Sequence, residues 1–204
     1  MLSEGEQKRV SEAVAAVEER TAGEIVVQVV AASDAYAGPR LWAAVLAGAG
    51  LAEAVLLLVP SLSSQYDLLI AAAASLSLWW VSAWPSVLRF VVSKEQRATA
   101  VHRRAKEAFL DAAVFRTRDR SGVLILVSML EHKVEILADD GIHARMGVDG
   151  WTQHVRSIVE GVRSGSLTAG LEKAIAGIGE ELAAAFPPRP DDVDELPNAP
   201  IVDT

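Results

Sequence analysis

The chain has no cysteine, which excludes disulfides, thiolate catalysis and cysteine-based zinc sites and leaves its redox compartment open. It also lacks a basic stripe. With a net charge of −8, nucleic acid is not an expected partner. Half of that charge sits in residues 187–204, where Asp191, Asp192, Asp194, Glu195 and Asp203 stand against Arg189 for a net of −4. There is no Gly-x-Ser-x-Gly elbow, no phosphate-binding Gly-x-x-x-x-Gly-Lys loop and no dinucleotide glycine signature. His102, His132, His143 and His154 form no His-Glu-x-x-His pattern, and the last three stand eleven residues apart, too far for one helical zinc site. Met1 to Glu4 open an acidic, helical stretch, so no cleavable signal peptide is expected.

The largest absence is of charge between Leu41 and Val92, where the only acids and bases are Glu53, Asp67 and Arg89. Leu41–Pro60 is a run of 20 residues, and a helix of that length spans the roughly 30 Å hydrocarbon core. A second apolar run, Leu68–Val92, is long enough to span with tilt. Ser61–Asp67 between them has room only for a reversal. The pair reads as a two-helix transmembrane hairpin, with four of the chain's five tryptophans in it. The alternative is two buried core helices, but the remaining residues are too few to bury both. Arg40, Arg89, Lys94 and Arg97 flank the hairpin on the domain side. The positive-inside rule therefore predicts a two-pass protein of the inner or cytoplasmic membrane with its soluble domain and both termini in the cytoplasm. Glu53 is an intramembrane carboxylate, either a functional group or one protonated or directed toward the tip-side headgroups. An ion pathway centred on it would require a homo-oligomer.

The flanks read as one α/β domain split by this insertion. Ser3 and Glu6 form a capping box, Val10, Ala13, Val14 and Val17 make a helical stripe, and Gly23 is placed to end the helix in the left-handed conformation. Glu24–Val30 is a buried strand. Ser93 and Gln96 start a helix of about twenty residues, and Gly122–Ser128 and Lys133–Ala138 are strands expected to pair antiparallel across a short reversal. Two further helices follow, on Trp151–Val162, with Asp149 as the expected cap, and on Leu171–Phe186. Strand, crossover helix, strand implies a right-handed parallel pair. The expected segments are 1–38 and 93–186 for the domain, 39–92 for the hairpin, and 187–204 for an acidic, proline-rich tail with too little apolar content to fold alone.

Thr21–Val27, Arg116–Ser128, Val134–Ile142, Gly161–Leu167 and Gly170-Leu171, taken in order, resemble the TPM domain family, here in a bacterial-type membrane protein with an inserted hairpin. Founding members of that family are a thylakoid lumen protein, a photosystem II repair factor and a nematode receptor modulator. The resemblance implies a Rossmann-like α/β/α sandwich and roles in assembling, maintaining or regulating a membrane protein complex. It also implies, for some members, divalent-metal binding and acid phosphatase activity. Two departures are visible: the anchor is inserted after the first strand, and Asp139-Asp140-Gly141 stands where relatives have Gly-x-Gly.

The expected topology brings Glu24, Asp119, Arg120, Asp139 and Asp140 to one edge of the sheet. Glu24, Asp119, Asp139 and Asp140 are candidate ligands for Ca²⁺ or Mg²⁺ through carboxylate oxygens, and Arg120 is a candidate for orienting a phosphate. The same residues also suit ordinary polar strand ends and a turn. Two functions are therefore expected to compete: a membrane-anchored interaction module, and a divalent-metal-dependent phosphatase working at the membrane surface.

Overall fold

In the computed structural model, which describes residues 2–59, 64–146, 151–189, 191 and 194–203, the chain forms two compact units, residues 1–33 with 98–204 and residues 34–97. The helices are α1 (Glu4–Glu18), α2 (Ala37–Leu58), α3 (Asp67–Val81), α4 (Pro85–Val91), α5 (Lys94–Asp111), α6 (Asp140–Met146), α7 (Thr152–Arg163) and α8 (Leu167–Ala185). The strands are β1 (Glu24–Val30), β2 (Gly122–Ser128), β3 (Lys133–Ala138) and β4 (Ile201–Asp203).

The first unit is a mixed α/β domain around a four-stranded sheet of order β3-β2-β1-β4. β1 and β2 run parallel from Glu24↔Gly122 to Val30↔Ser128, and β3 returns antiparallel to β2, as the strand patterns predict. Every residue of β1 and β2 is buried because helices cover both faces. Ile25, Val27, Val29, Val123 and Ile125 pack with α1, α7 and α8, while the alternate residues Val26, Val30, Leu124 and Leu126 pack with α5. The two-residue period of a strand assigns side chains to opposite faces, and each large side chain buried this way contributes roughly 1.5–3 kcal/mol.

Both capping boxes form. The Ser3 amide donates to Glu6 Oε2 at 2.9 Å, and Ser93 and Gln96 exchange amide-to-side-chain bonds of 3.1 Å each. Gly23 has a different role from the one expected. Among the described glycines only Gly165 has positive φ, and α1 already ends at Glu18. A Cβ on Gly23 would lie 3.1 Å from Leu182 Cδ1, so this glycine admits close packing of α8. The expected cap Asp149 lies outside the described residues.

The acidic segment differs from the expected tail. Ile201–Asp203 adds β4 to the free side of β1, with Gln28↔Ile201 to Val30↔Asp203 in parallel register, and Leu196 is buried with the α5-side core. Asp203 is fixed by Gln28 Nε2 at 2.6 Å and Arg104 Nη2 at 2.7 Å.

The second unit contains the apolar helices. α2 has 22 residues and is long and apolar enough to cross a membrane, with only 17% of its most apolar window buried. α2 and α3 approach closely: a Cβ on Gly48 would meet Ser75 Oγ at 2.2 Å and its amide nitrogen at 2.7 Å. Arg40 ties the same pair, donating to Ser82 Oγ at 3.2 Å with its guanidinium 4.5 Å from the Trp79 ring centre. The second apolar run is not one straight helix. α3 stops at Val81 and α4 departs at 110°. Pro85 opens α4 without an amide hydrogen, and Trp84 before it is extended at ψ 133°, the conformation a following proline favours. Part of the expected reversal, residues 61–63, lies outside the described residues, as does residue 60 at the end of the first run; Ser64–Tyr66 form a 3₁₀ turn. Glu53 is exposed on α2.

Candidate functional site

The amino-terminal end of the sheet is built by backbone ties among three loops. Thr21 Oγ1 and the Ala22 amide both donate to the Phe186 carbonyl, at 2.7 and 3.0 Å, joining the α1–β1 loop to the end of α8. Ser121 Oγ donates to the Ala22 carbonyl at 2.8 Å, joining that loop to the start of β2. These bonds leave Glu18, at the end of α1, and Glu24, at the start of β1, beside each other.

Around them the sheet end holds a carboxylate cluster that differs in membership from the one expected. Oxygens of Glu18, Glu24 and Asp194 lie within 4.8 Å of one another. Glu18 Oε1 accepts the Ile25 amide at 3.0 Å and Glu24 Oε1 accepts the Glu195 amide at 3.2 Å. The second oxygen of each, Oε2, is buried without a hydrogen-bond partner, as is Asn198 Oδ1. A cavity of about 420 Å³ opens onto Glu18, Glu24, Asp194, Asn198 and Arg189.

Buried carboxylate oxygens with nothing to accept are expensive. Burial pushes the Glu18 carboxyl up to about 8, helped by the charges of Glu24 and Asp194 and opposed by the Ile25 amide. Burial likewise pushes Glu24 up to about 7, with Asp194 and Glu195 adding repulsion against the pull of the Glu195 and Leu196 amides. The pair therefore holds protons near neutral pH, and a cation seated among the three carboxylates would replace them.

The other expected site residues are held elsewhere. Asp139 is 4% exposed and Arg120 Nη2 reaches its Oδ1 at 3.0 Å and Asp140 Oδ2 at 3.3 Å. Gly141 lets α6 start against that loop: a Cβ there would be 2.3 Å from the Asp119 carbonyl oxygen. Asp119 pairs with Arg189. Of the expected set, Glu24 alone belongs to the three-carboxylate group, and Arg120 serves as counter-ion to Asp139 and Asp140.

Glu18 and Asp194 were not legible as site residues. The available signal for Glu18 was its place at the carboxyl end of a helix, where the macrodipole disfavours an anion. Asp194 carried none, because its position depends on β4 pairing.

The all-oxygen donor set fits a hard divalent cation, Ca²⁺ or Mg²⁺, and the unpartnered Oε2 atoms of Glu18 and Glu24 are the positions such an ion would satisfy. Arg189, which pairs with Asp119, lines one wall of the cavity.

A family model described as the TPM domain matches residues 87–181. Those residues carry β2, β3 and the following helices but neither Glu18, Glu24 nor Asp194. No curated protein matches the chain. Among solved structures, the NMR structure of BA42 protein from the psychrophilic bacterium Bizionia argentinensis is similar at 22% identity with a TM-score of 0.63, covering 99% of this chain and 95% of that one. At that identity the likeness is one of fold.

Proposed function

We propose that this protein is a membrane-anchored module of the TPM type whose Rossmann-like domain binds Ca²⁺ or Mg²⁺ through Glu18, Glu24 and Asp194 and assists assembly, maintenance or regulation of a membrane protein complex. The observation that carries the reading is the pair of buried, unpartnered oxygens, Glu18 Oε2 and Glu24 Oε2, beside the Asp194 carboxylate. An ion there would join the end of α1, the start of β1 and the segment leading to β4. Its role would be to fix a surface for a partner.

The anchoring part is supported by α2 and by exposed apolar side chains such as Leu46, Leu58, Leu68 and Phe90, the last 92% exposed. The flanking Arg40, Lys94 and Arg97 favour a cytoplasmic domain. A domain held at a membrane by an interior insertion meets membrane partners at high effective concentration. Purification in mild detergent with cross-linking is expected to recover a stoichiometric membrane partner; recovery of the chain alone at native levels contradicts the assembly role.

Arg189, in the wall of the same cavity, favours a second reading, metal-dependent phosphatase. A cation supplies charge neutralisation for a phosphate and Arg189 supplies donors that would orient it. Turnover of generic phosphomonoesters that requires Mg²⁺ or Ca²⁺ and vanishes in Glu24→Gln supports this reading, and no turnover removes it.

A further inference from the structure

At the opposite end of the sheet, between the β2–β3 turn and α7, lies a second cavity of about 120 Å³. Val127, Val134 and Val162 are among its apolar lining, and His132, Lys133 and Arg163 supply its basic lining. That volume holds several waters or one compact anionic group, and is well below the roughly 300–1,000 Å³ of pockets that enclose a whole drug-sized ligand.

Two of these basic groups, Lys133 and Arg163, are not spent on the protein. Arg9, Arg104, Arg118 and Arg120 each pair with a carboxylate, whereas among the described residues neither Lys133 nor Arg163 has an ion pair or a side-chain hydrogen bond. Glu131, in the same turn, is 3% exposed and committed elsewhere: its Oε1 accepts the Ser33 amide at 3.0 Å, and Oε2 accepts the Ser128 hydroxyl. Two free cations and several apolar side chains lining one cavity make a site for an anion attached to an apolar body.

Its place in the chain says which anion. Ser33 is the last residue of the domain before residues 34–97. Its hydroxyl donates to Ser128 Oγ at 2.8 Å, and the Met129 and Leu130 amides donate to the Val30 and Ala31 carbonyls at 3.0 and 2.9 Å. The exit point of the apolar segment is thus fixed to the turn that walls the cavity.

We infer that this cavity takes the phosphate of an anionic phospholipid headgroup, with Lys133 and Arg163 donating to its oxygens. The inference rests on reading residues 34–97 as the membrane anchor. Anionic lipids of the cytoplasmic leaflet attract basic side chains held near the surface, and the chain continues from Ser33, bonded to this turn, directly into residues 34–97.

The test uses the full chain in neutral detergent, titrated with short-chain phosphatidylglycerol, short-chain phosphatidylcholine and inorganic phosphate, while the His132 and Lys133 amide resonances are followed. Saturable phosphatidylglycerol binding at these resonances is expected, weakened on the order of tenfold by Lys133→Ala or Arg163→Ala as one charge-assisted contact is lost. The thermal midpoints of both variants should stay unchanged, and phosphatidylcholine should bind weakly. Lipid binding indifferent to both variants overturns the inference, and inorganic phosphate binding as tightly as the lipid reassigns the cavity to free phosphate and overturns the lipid as occupant. Alkaline carbonate extraction separates the two readings. A chain released by carbonate overturns the anchor and the lipid site together; a chain retained, with variant-insensitive lipid binding, overturns the site alone.

Discussion

Glu18 closes α1, Glu24 opens β1, and their carboxylate oxygens lie within 4.8 Å of each other with one oxygen of each buried and unpartnered. Like charges that close resist ionising together. Their folded values, about 8 and about 7, stand above the 4.5 of a free glutamate. The native state therefore binds more protons than the unfolded chain between those limits. The stability contributed by the protonated pair is full below 4.5 and is lost as pH rises through about 7 and about 8. Urea denaturation of the metal-free protein should show stability falling across that window, and Glu18→Gln/Glu24→Gln should flatten the fall. A slope unchanged by the double substitution contradicts the assignment.

Arg120 neutralises a carboxylate that is 4% exposed, Asp139. Arg120→Met should destabilise the domain by about 2–3 kcal/mol, below the range for a fully buried pair because the arginine is half exposed. Asp139→Asn with Asp140→Asn should leave cation binding in place. Loss of binding in that variant would return the site to the strand edge expected from sequence.

Leu196 packs into the α5-side core and lies two residues from Asp194. Leu196→Ala should cost about 2–3 kcal/mol and also weaken cation affinity by releasing the segment that carries Asp194. Calorimetry that finds lowered stability with full affinity would separate the tail's packing from the site.

α7 and α8 cross with backbone against backbone: a Cβ on Gly161 would be 2.6 Å from Gly170 Cα. Gly161→Ala should lower stability by about 1–3 kcal/mol through overpacking, read from the denaturation midpoint. An unchanged midpoint would show that the crossing yields freely.

The parts of this fold that were legible are those set by local pattern. β1 and β2 are buried on both faces, so each is a near-continuous apolar run, and the helix between them implied their parallel pairing. β4 is three residues in an acidic context, and nothing local marks Ile201–Asp203 as a strand until β1 offers its free edge. The bend after Val81 came from Pro85, whose backbone effect hydropathy does not register. Of the candidate cluster only Glu24 was legible, for a related reason. Glu24 is marked by its place at a strand start, but Glu18 and Asp194 reach it only through the α1–β1 loop and the returning carboxyl-terminal segment.

Calorimetric titration of the full chain in neutral detergent with Ca²⁺ and with Mg²⁺ tests the cation site most directly. One saturable site is predicted, with protons released on binding near neutral pH, abolished in Glu18→Gln/Glu24→Gln and retained in Asp139→Asn/Asp140→Asn. Absence of binding by either ion, or binding that survives the loss of Glu18 and Glu24, would contradict it.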